Sequence, residues 1–274
     1  MSVTQKERAE RFRVLHAGPG AFVIANAWDT GSAKILEGLG FPAVATSSAA
    51  AAMAIGKKDG QLTREEALAH AGDVVRATEV PVSADLENGF GDRPEAVAET
   101  VELAAAVGLA GCTIEDSTGN ASRPVYDLEL ATERIAAGAE AARKLGCPFM
   151  LTARAHNLLY ENPDLNETIR RLQAYEWAGA DVLFAPGLPS LAAVQQVCES
   201  IRKPFNFMVG MKEKSFSVRE LEDAGVRRIS LATSLYRAAM SGLLDAAQEV
   251  LQSGSFGFVD RSTSTAELLK LMRI

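Results

Sequence analysis

The stretch VSADLENGFGD, residues 82–92, changes character halfway along. It begins as an apolar strand. It then sets Asp85 and Glu87 two residues apart and breaks into a glycine-rich turn, with Pro94 just beyond as a first-turn helix residue. Strand, polar strand end, glycine turn and helix form one unit, and the chain repeats that unit. With VPVSADLE (80–87), eight short apolar runs can be read. The others are FVIANAWD (22–29), AVATSS (43–48), GCTIED (111–116), CPFMLTARA (147–155), ADVLFAPG (180–187), PFNFMVG (204–210) and RRISLATS (227–234). Helical periodicity fills the gaps, as in REEALAHAGDVVRAT, where Ala67, Leu68, Ala71, Val74 and Val75 share a face. Thr63 with Glu66 and Ser217 with Glu220 mark helix starts, and Gly38, Gly108, Gly146, Gly179 and Gly225 mark expected helix ends.

Eight such units predict an α/β fold, a (β/α)8 barrel, as a single domain over residues 1–274. An open doubly wound sheet also accommodates alternating elements. Against a nucleotide-binding version of it, no GxGxxG follows the first strand and no GxxxxGK[ST] occurs. An N-terminal helix capped by Thr4 and Glu7 precedes the barrel. A helical extension, residues 254–274, follows it, with Ser264 and Glu267 as its cap and Leu268, Leu269, Leu271 and Met272 as its apolar side.

The 274 residues carry a formal net charge of −7 and no basic run, which argues against nucleic acid as a partner. The apolar stretches are Ala-rich and too short to predict a membrane span, and the N-terminus is too charged for a signal peptide. Three widely spaced cysteines suit a reduced, cytoplasmic protein, and three scattered histidines give no zinc signature.

In a barrel of this kind the chemistry sits at the C-terminal strand ends. Polar residues gather there: Thr46, Ser47 and Ser48 after the second run, Asp85 and Glu87 after the third, Glu115 and Asp116 after the fourth, Arg154, His156 and Asn157 after the fifth. Alternation places Ser83, Asp85 and Glu87 on one face, Thr113 with Glu115 on another, and Thr152, Arg154 and His156 on a third. Facing inward, these bring three carboxylates and one guanidinium to the barrel mouth. One arginine does not neutralise three acids, and carboxylates with water suit a hard divalent cation. Surface acids or structural ion pairs are the alternative reading. SSAAAAMAIG (47–56) has no bulky side chain before Met53, which leaves its backbone N–H groups open to an anion; its serines also suit simple helix capping.

GFPAVATSSAAAAMAIGKKDG (40–60), VPVSADLENGFGD (80–92), CTIED (112–116) and LTARAHN (151–157), in this order, resemble the isocitrate lyase and phosphoenolpyruvate mutase superfamily. The resemblance implies a (β/α)8 barrel and a homo-oligomer, a tetramer or a dimer, with a late helix exchanged between neighbours; residues 254–274 suit that helix. It implies Mg²⁺, with Mn²⁺ as a substitute, held directly or through water by Asp59, Asp85, Glu87 and Glu115. A 2-oxo or 2-hydroxy carboxylate would be held by Thr46, Ser47, Ser48, Ala49, Asp85 and Arg154. Glu87 departs from the aspartate common at its position. The loop STGNASRPVYDLE (117–129) lacks the Lys-Lys-Cys-Gly-His motif of the tricarboxylate lyases, which speaks against an isocitrate or methylisocitrate lyase. Asn120 and Arg123 are its loose analogues of the phosphonate mutases' loop residues, and His156 is a candidate proton donor beside Arg154. The expected function is a Mg²⁺-dependent carbon–carbon lyase that cleaves or decarboxylates a small 2-oxo or 2-hydroxy (di)carboxylate through a metal-bound enolate. A P–C bond enzyme of the phosphonopyruvate hydrolase or phosphoenolpyruvate mutase type is the first alternative. A non-catalytic 2-oxo acid binding protein is the second.

Overall fold

The computed structural model describes residues 3–160, 163–211 and 216–274. The chain runs α1 (Gln5–Ala17), β1 (Phe22–Ala27), α2 (Thr30–Gly38), β2 (Val44–Thr46), α3 (Ser48–Ala54), α4 (Arg64–Ala77), β3 (Val82–Asp85) and α5 (Pro94–Ala106). It continues with β4 (Gly111–Glu115), α6 (Leu128–Lys144), β5 (Met150–Arg154), α7 (Leu165–Ala178), β6 (Val182–Phe184), α8 (Leu191–Ser200) and β7 (Phe205–Met208). It closes with α9 (Val218–Asp223), β8 (Arg228–Ser230), α10 (Ser234–Ser253), α11 (Phe258–Arg261) and α12 (Thr265–Met272). The strands pair in parallel in chain order, and β8 closes on β1 through Phe22–Arg228 and Ile24–Ser230. This is the expected (β/α)8 barrel.

Every strand lies inside its apolar run and is shorter than it. At the C-terminal ends of β2 to β5 the trimmed residues include Ser47, Ser48, Glu87 and Asp116, which leave the ladder at the barrel mouth. The capping boxes at Thr4, Thr63, Ser217 and Ser264 all form, because each hydroxyl accepts from the backbone N–H of a glutamate that bonds back. One glycine expected to close a helix plays another part. Gly40, not Gly38, takes the left-handed conformation after α2. Gly38 instead lies against the end of α12, where a Cβ would sit 2.0 Å from the Leu271 carbonyl oxygen.

That contact bears on the C-terminal extension. Within residues 254–274, the segment expected to suit exchange between neighbours, α12 packs on α2 in the single chain. The bare helix is α10: along its 20 residues none is buried. Leu243, Leu244 and Leu251 line its outer face, and Leu251 is 85% exposed. No helix among the described residues is long and apolar enough to cross a membrane.

The end of the barrel opposite the loops is plugged by α1. Ala9 and Phe12 pack with Ile24, Ala43, Ala45, Ala110, Met150 and Val182 in an apolar cluster separate from the main core. His16 completes the plug, edge-on to Phe12 and Phe22. Its Nδ1 bonds the Phe12 carbonyl at 2.8 Å, so Nδ1 carries the proton, and its buried Nε2 has no partner. Burial, reinforced by the charge of Arg228, lowers its pKa to about 3. A folded-state value below the unfolded one makes stability complete above pH 6.5 and erodes it as pH falls towards 3. In urea unfolding between pH 7 and 5, His16→Gln should therefore reduce the pH slope of stability by up to ~1.4 kcal/mol per unit. An unchanged slope contradicts this account.

Candidate active site

Three side chains from the third and fourth strand ends meet at the barrel mouth. Asp85, the last residue of β3, is held by its neighbours on β2 and α3: its N–H donates to Thr46 Oγ1 at 3.1 Å, and its Oδ2 accepts from Ser48 Oγ at 3.2 Å. Glu87 arrives differently from the expectation. It is not on the strand face with Ser83 and Asp85, because β3 ends at Asp85 and Glu87 lies in a turn at φ +49°. A left-handed glutamate is costly, so the turn is fixed from outside. Thr100 Oγ1 donates to the Gly89 carbonyl at 2.8 Å, and Arg134 donates to the Gly91 carbonyl at 2.5 Å and to that of Asn88. The Arg134 guanidinium also lies 4.2 Å over the Tyr126 ring, whose hydroxyl bonds Asp92 at 2.6 Å. Asp59 comes from the exposed loop before α4 and lines the rim of the same cleft.

Glu115 and Arg154 are cross-strand neighbours on β4 and β5, and Arg154 Nη1 lies 3.0 Å from Glu115 Oε2. The same nitrogen is 3.9 Å from Asp85 Oδ2. The guanidinium rests 5.1 Å from the centre of the Phe184 ring. His156 Nδ1 lies 3.2 Å from Glu115 Oε2, out of line for a hydrogen bond, and its Nε2 is 3.2 Å from Arg154 Nη2. Arginine only donates, so Nε2 accepts, and the imidazole proton sits on Nδ1 facing Glu115. Burial pushes Glu115 up, but the Arg154 charge and the neighbouring His156 outweigh it and hold its pKa at about 2. Burial raises Asp85, with Arg154 only partly opposing it. Burial and the charges of Asp85, Asp59 and Glu115 lift Glu87 to about 8. Glu87 Oε1 is buried without a hydrogen-bond partner. Arg154 therefore serves Glu115, and the charge on Asp85 and Glu87 is left over. Among the described residues no three acid, histidine or cysteine side chains converge as direct ligands of one ion. The carboxylate oxygens of Asp85, Glu87 and Asp59 are donors of the kind a hard cation takes.

A second layer, not singled out in the sequence, holds this arrangement. Asp116 is 3% exposed. It accepts from the His156 N–H at 2.8 Å, Arg171 Nη1 at 3.1 Å and Tyr175 Oη at 2.5 Å. It thereby ties β4 and the turn after β5 to α7. Ser117 Oγ and Tyr160 Oη, 2.9 Å apart, form a hydroxyl pair on the cleft wall. The cleft measures about 450 Å³, the size of a small-molecule site.

Some expected site residues are placed elsewhere. Asn120 and Arg123 do not line the cleft. The loop folds on itself through the antiparallel bridge of Ser117 with Val125, Asn120 Oδ1 accepts from Ser122, and Arg123 pairs with Asp127 on the outside. Ser47 caps α3 by accepting from the Ala50 N–H and also lines the small cavity beside Asp85 and Arg154, whereas Ala49 lies in the first turn of α3 away from the cleft lining. Ser48 and Thr46 reach the site through Asp85, as above. Cys112 is fully buried in the core.

The Asp116 layer makes a direct prediction. Arg171→Met leaves a buried carboxylate without its cation and should cost about 3–5 kcal/mol in chemical denaturation. Tyr175→Phe, which keeps the ion pair, should cost about 1–3 kcal/mol. Equal losses for the two would show that the charge pair is not what holds the layer.

The same elements recur in known proteins. The phosphoenolpyruvate phosphomutase family model matches residues 12–251. A probable 2-methylisocitrate lyase of Corynebacterium glutamicum is 28% identical over 99% of this chain and 90% of its own. An oxaloacetate decarboxylase of Ectopseudomonas mendocina is 29% identical over 89% and 84%. A solved structure from Burkholderia cenocepacia superposes with a TM-score of 0.96 at 44% identity, covering 98% of this chain and 97% of its own. With a barrel of the same order and a family match across most of its length, the chain belongs to the phosphoenolpyruvate phosphomutase family.

Proposed function

We propose that the chain is a divalent-metal-dependent lyase that cleaves or decarboxylates a small 2-oxo or 2-hydroxy carboxylate. The observation that carries this is the charge left over at the mouth: Glu87 Oε1 is buried without a partner, beside Asp85, while the nearby guanidinium is matched to Glu115. Asp85, Glu87 and Asp59 would hold Mg²⁺ or Mn²⁺ with its waters, and Glu115 would face it from across the cleft. When bound, such an ion supplies Lewis-acid polarisation of a keto or hydroxyl oxygen.

The remaining work falls to the chain's own groups. Arg154 keeps a buried Nε without a partner, a donor poised for a carboxylate or a developing oxyanion. Glu115 and the Phe184 ring hold its plane, so little reorganisation accompanies charge development. His156 has both nitrogens turned to site residues, which suits orienting Arg154 and Glu115 better than donating a proton to substrate. Ser48 Oγ and N–H are the donors nearest to a substrate carboxylate at the β2 end. Decarboxylation fits this inventory, because carbon dioxide departs without a proton from the short, cysteine-free loop after β4. The oxaloacetate decarboxylases among the relatives support the same choice. A phosphoryl group would favour several cations, and Arg154 is the one cationic side chain lining the described cleft besides any charge on His156.

The test is turnover of a panel of 2-oxo and 2-hydroxy acids with and without Mg²⁺. Oxaloacetate or a close diacid should be consumed only with metal, and chelation should abolish turnover. Arg154→Met should lower kcat/KM about 10²- to 10³-fold. Release of phosphate, or of phosphoenolpyruvate, from phosphonopyruvate would instead establish the P–C reaction. Tight binding without product would leave a binding protein.

The same reading extends to assembly. A 20-residue helix with no buried residue and a leucine face needs a cover, and a second copy of the chain provides one. Sedimentation should show a homo-oligomer that Leu244→Asp with Leu251→Asp shifts towards monomer; a monomeric native chain would refute it.

A further inference from the structure

Barrels of this type are usually filled by branched aliphatic side chains. Below the acid cluster this barrel is polar instead. Arg228 enters from β8 and is 3% exposed. Its Nε donates to Asn206 Oδ1 at 2.7 Å, and its Nη1 donates to Thr152 Oγ1 at 3.1 Å. A guanidinium has five N–H groups, so three remain. Among the described residues no protein acceptor meets those three, and no carboxylate pairs with the charge. Burial alone accounts for the fall of its pKa to about 9. His16, on the far side, is a neutral ring whose own proton points to Phe12 and offers no counter-charge.

A cavity of about 50 Å³ borders the guanidinium. Its other polar walls carry hydroxyls that can turn a hydrogen towards a ligand. Ser230 Oγ accepts from Asn206 Nδ2 at 3.0 Å, which leaves its own hydrogen free. The buried hydroxyls of Ser83 and Thr113 line the same space and make no side-chain hydrogen bond. The one acid on the described wall, Asp85, sits at the opposite end, with Oδ2 turned to Ser48 and Arg154. The chamber thus borders a buried positive charge that no carboxylate among the described residues pairs with. Water can complete hydrogen bonds there but brings no counter-charge. A small anion accepts from all the donors and cancels the charge. The volume admits a monatomic ion with a water or two and is too small for a diacid substrate.

We infer that this chamber is a binding site for a small inorganic anion of the halide class, held by Arg228 with the hydroxyls of Ser230, Ser83 and Thr113. It lies on the Arg228 side of the barrel and shares Arg154 with the substrate cleft. The ion serves as the missing counter-charge of the barrel interior.

Crystals of the native chain purified and grown in sodium bromide test this directly. An anomalous peak within hydrogen-bond reach of the Arg228 guanidinium is expected. Thermal unfolding is then followed as chloride or bromide replaces gluconate at constant ionic strength. A saturable rise of a few degrees is expected for the native chain and should vanish in Arg228→Met. Only water beside Arg228 in the bromide crystals overturns the inference. So does a peak without a saturable response in solution, which marks binding at crystal concentration only. Should Arg228→Met fail to fold, the peak and the titration of the native chain decide the matter by themselves.

Discussion

The 3.0 Å contact between Arg154 and Glu115 organises the mouth of this barrel. Both side chains are largely buried, so neither charge is tolerable alone. Their pairing on adjacent strands uses the guanidinium on one carboxylate and draws His156 in beside them. Among the described residues Asp85 keeps only a 3.9 Å contact with the same arginine, and Glu87 has an oxygen without a hydrogen-bond partner. Two acids with raised pKa values facing a cleft are unfavourable in the chain by itself. Such a site gains from a cation, which reverses the like-charge repulsion and returns both acids to their ionised forms. The metal dependence proposed above would thus follow from which acid the arginine serves.

Backbone strain at Glu87 points to the same constraint. A strand continued two residues beyond Asp85 would carry Glu87 inward by alternation alone. The chain instead breaks the ladder and still places the Glu115 N–H on the Glu87 carbonyl at 2.8 Å. The bend is sustained by Arg134, Thr100 and Tyr126, three side chains from outside the cleft that grip the turn's carbonyls and polar groups. Their role is to hold a glutamate where a regular strand would not put it. The extra methylene of Glu87, relative to the aspartate of the resemblance, gives the carboxylate the reach that this displaced backbone requires.

The barrel was legible because alternation, capping and glycine punctuation act locally: VPVSADLE or RRISLATS contains its strand whatever surrounds it. Asp85, Glu115 and Arg154 were legible for the same reason, as polar residues at strand ends. What failed depended on distance in space. Arg123 was read as a site residue because a cation in the right loop suggests one, but Asp127, four residues on, holds it outside. Asp116 looked like a second strand-end acid, and only the fold shows Arg171 and Tyr175 of α7 meeting it. The exposed face of α10 and the Leu271–Gly38 contact of α12 likewise depend on residues far apart in sequence. Asn206, Arg228 and Ser230 were visible as period-2 polar residues within the last two runs, yet they precede the strand ends where chemistry was sought.

Those interior residues give the barrel a vertical order of charge. At the base, His16 is kept neutral by burial and by Arg228 above it. Arg228 is positive and without a carboxylate partner among the described residues; the small chamber lies next to it; above that come Asp85 and the Arg154–Glu115 pair, then Glu87 and Asp59 at the opening. An aliphatic filling would have packed more densely and avoided the desolvation cost of Arg228. It would also have placed Asp85 and Arg154 on an apolar floor, where each unmet hydrogen bond is more costly than over hydroxyls and amides. A polar floor thus lets the lower side of a charged site be satisfied from within the barrel, leaving its upper side open to ligands. The interior and the mouth of this barrel are therefore one electrostatic structure, and substitutions in Asn206 or Arg228 belong to the chemistry of the site as much as to the stability of the fold.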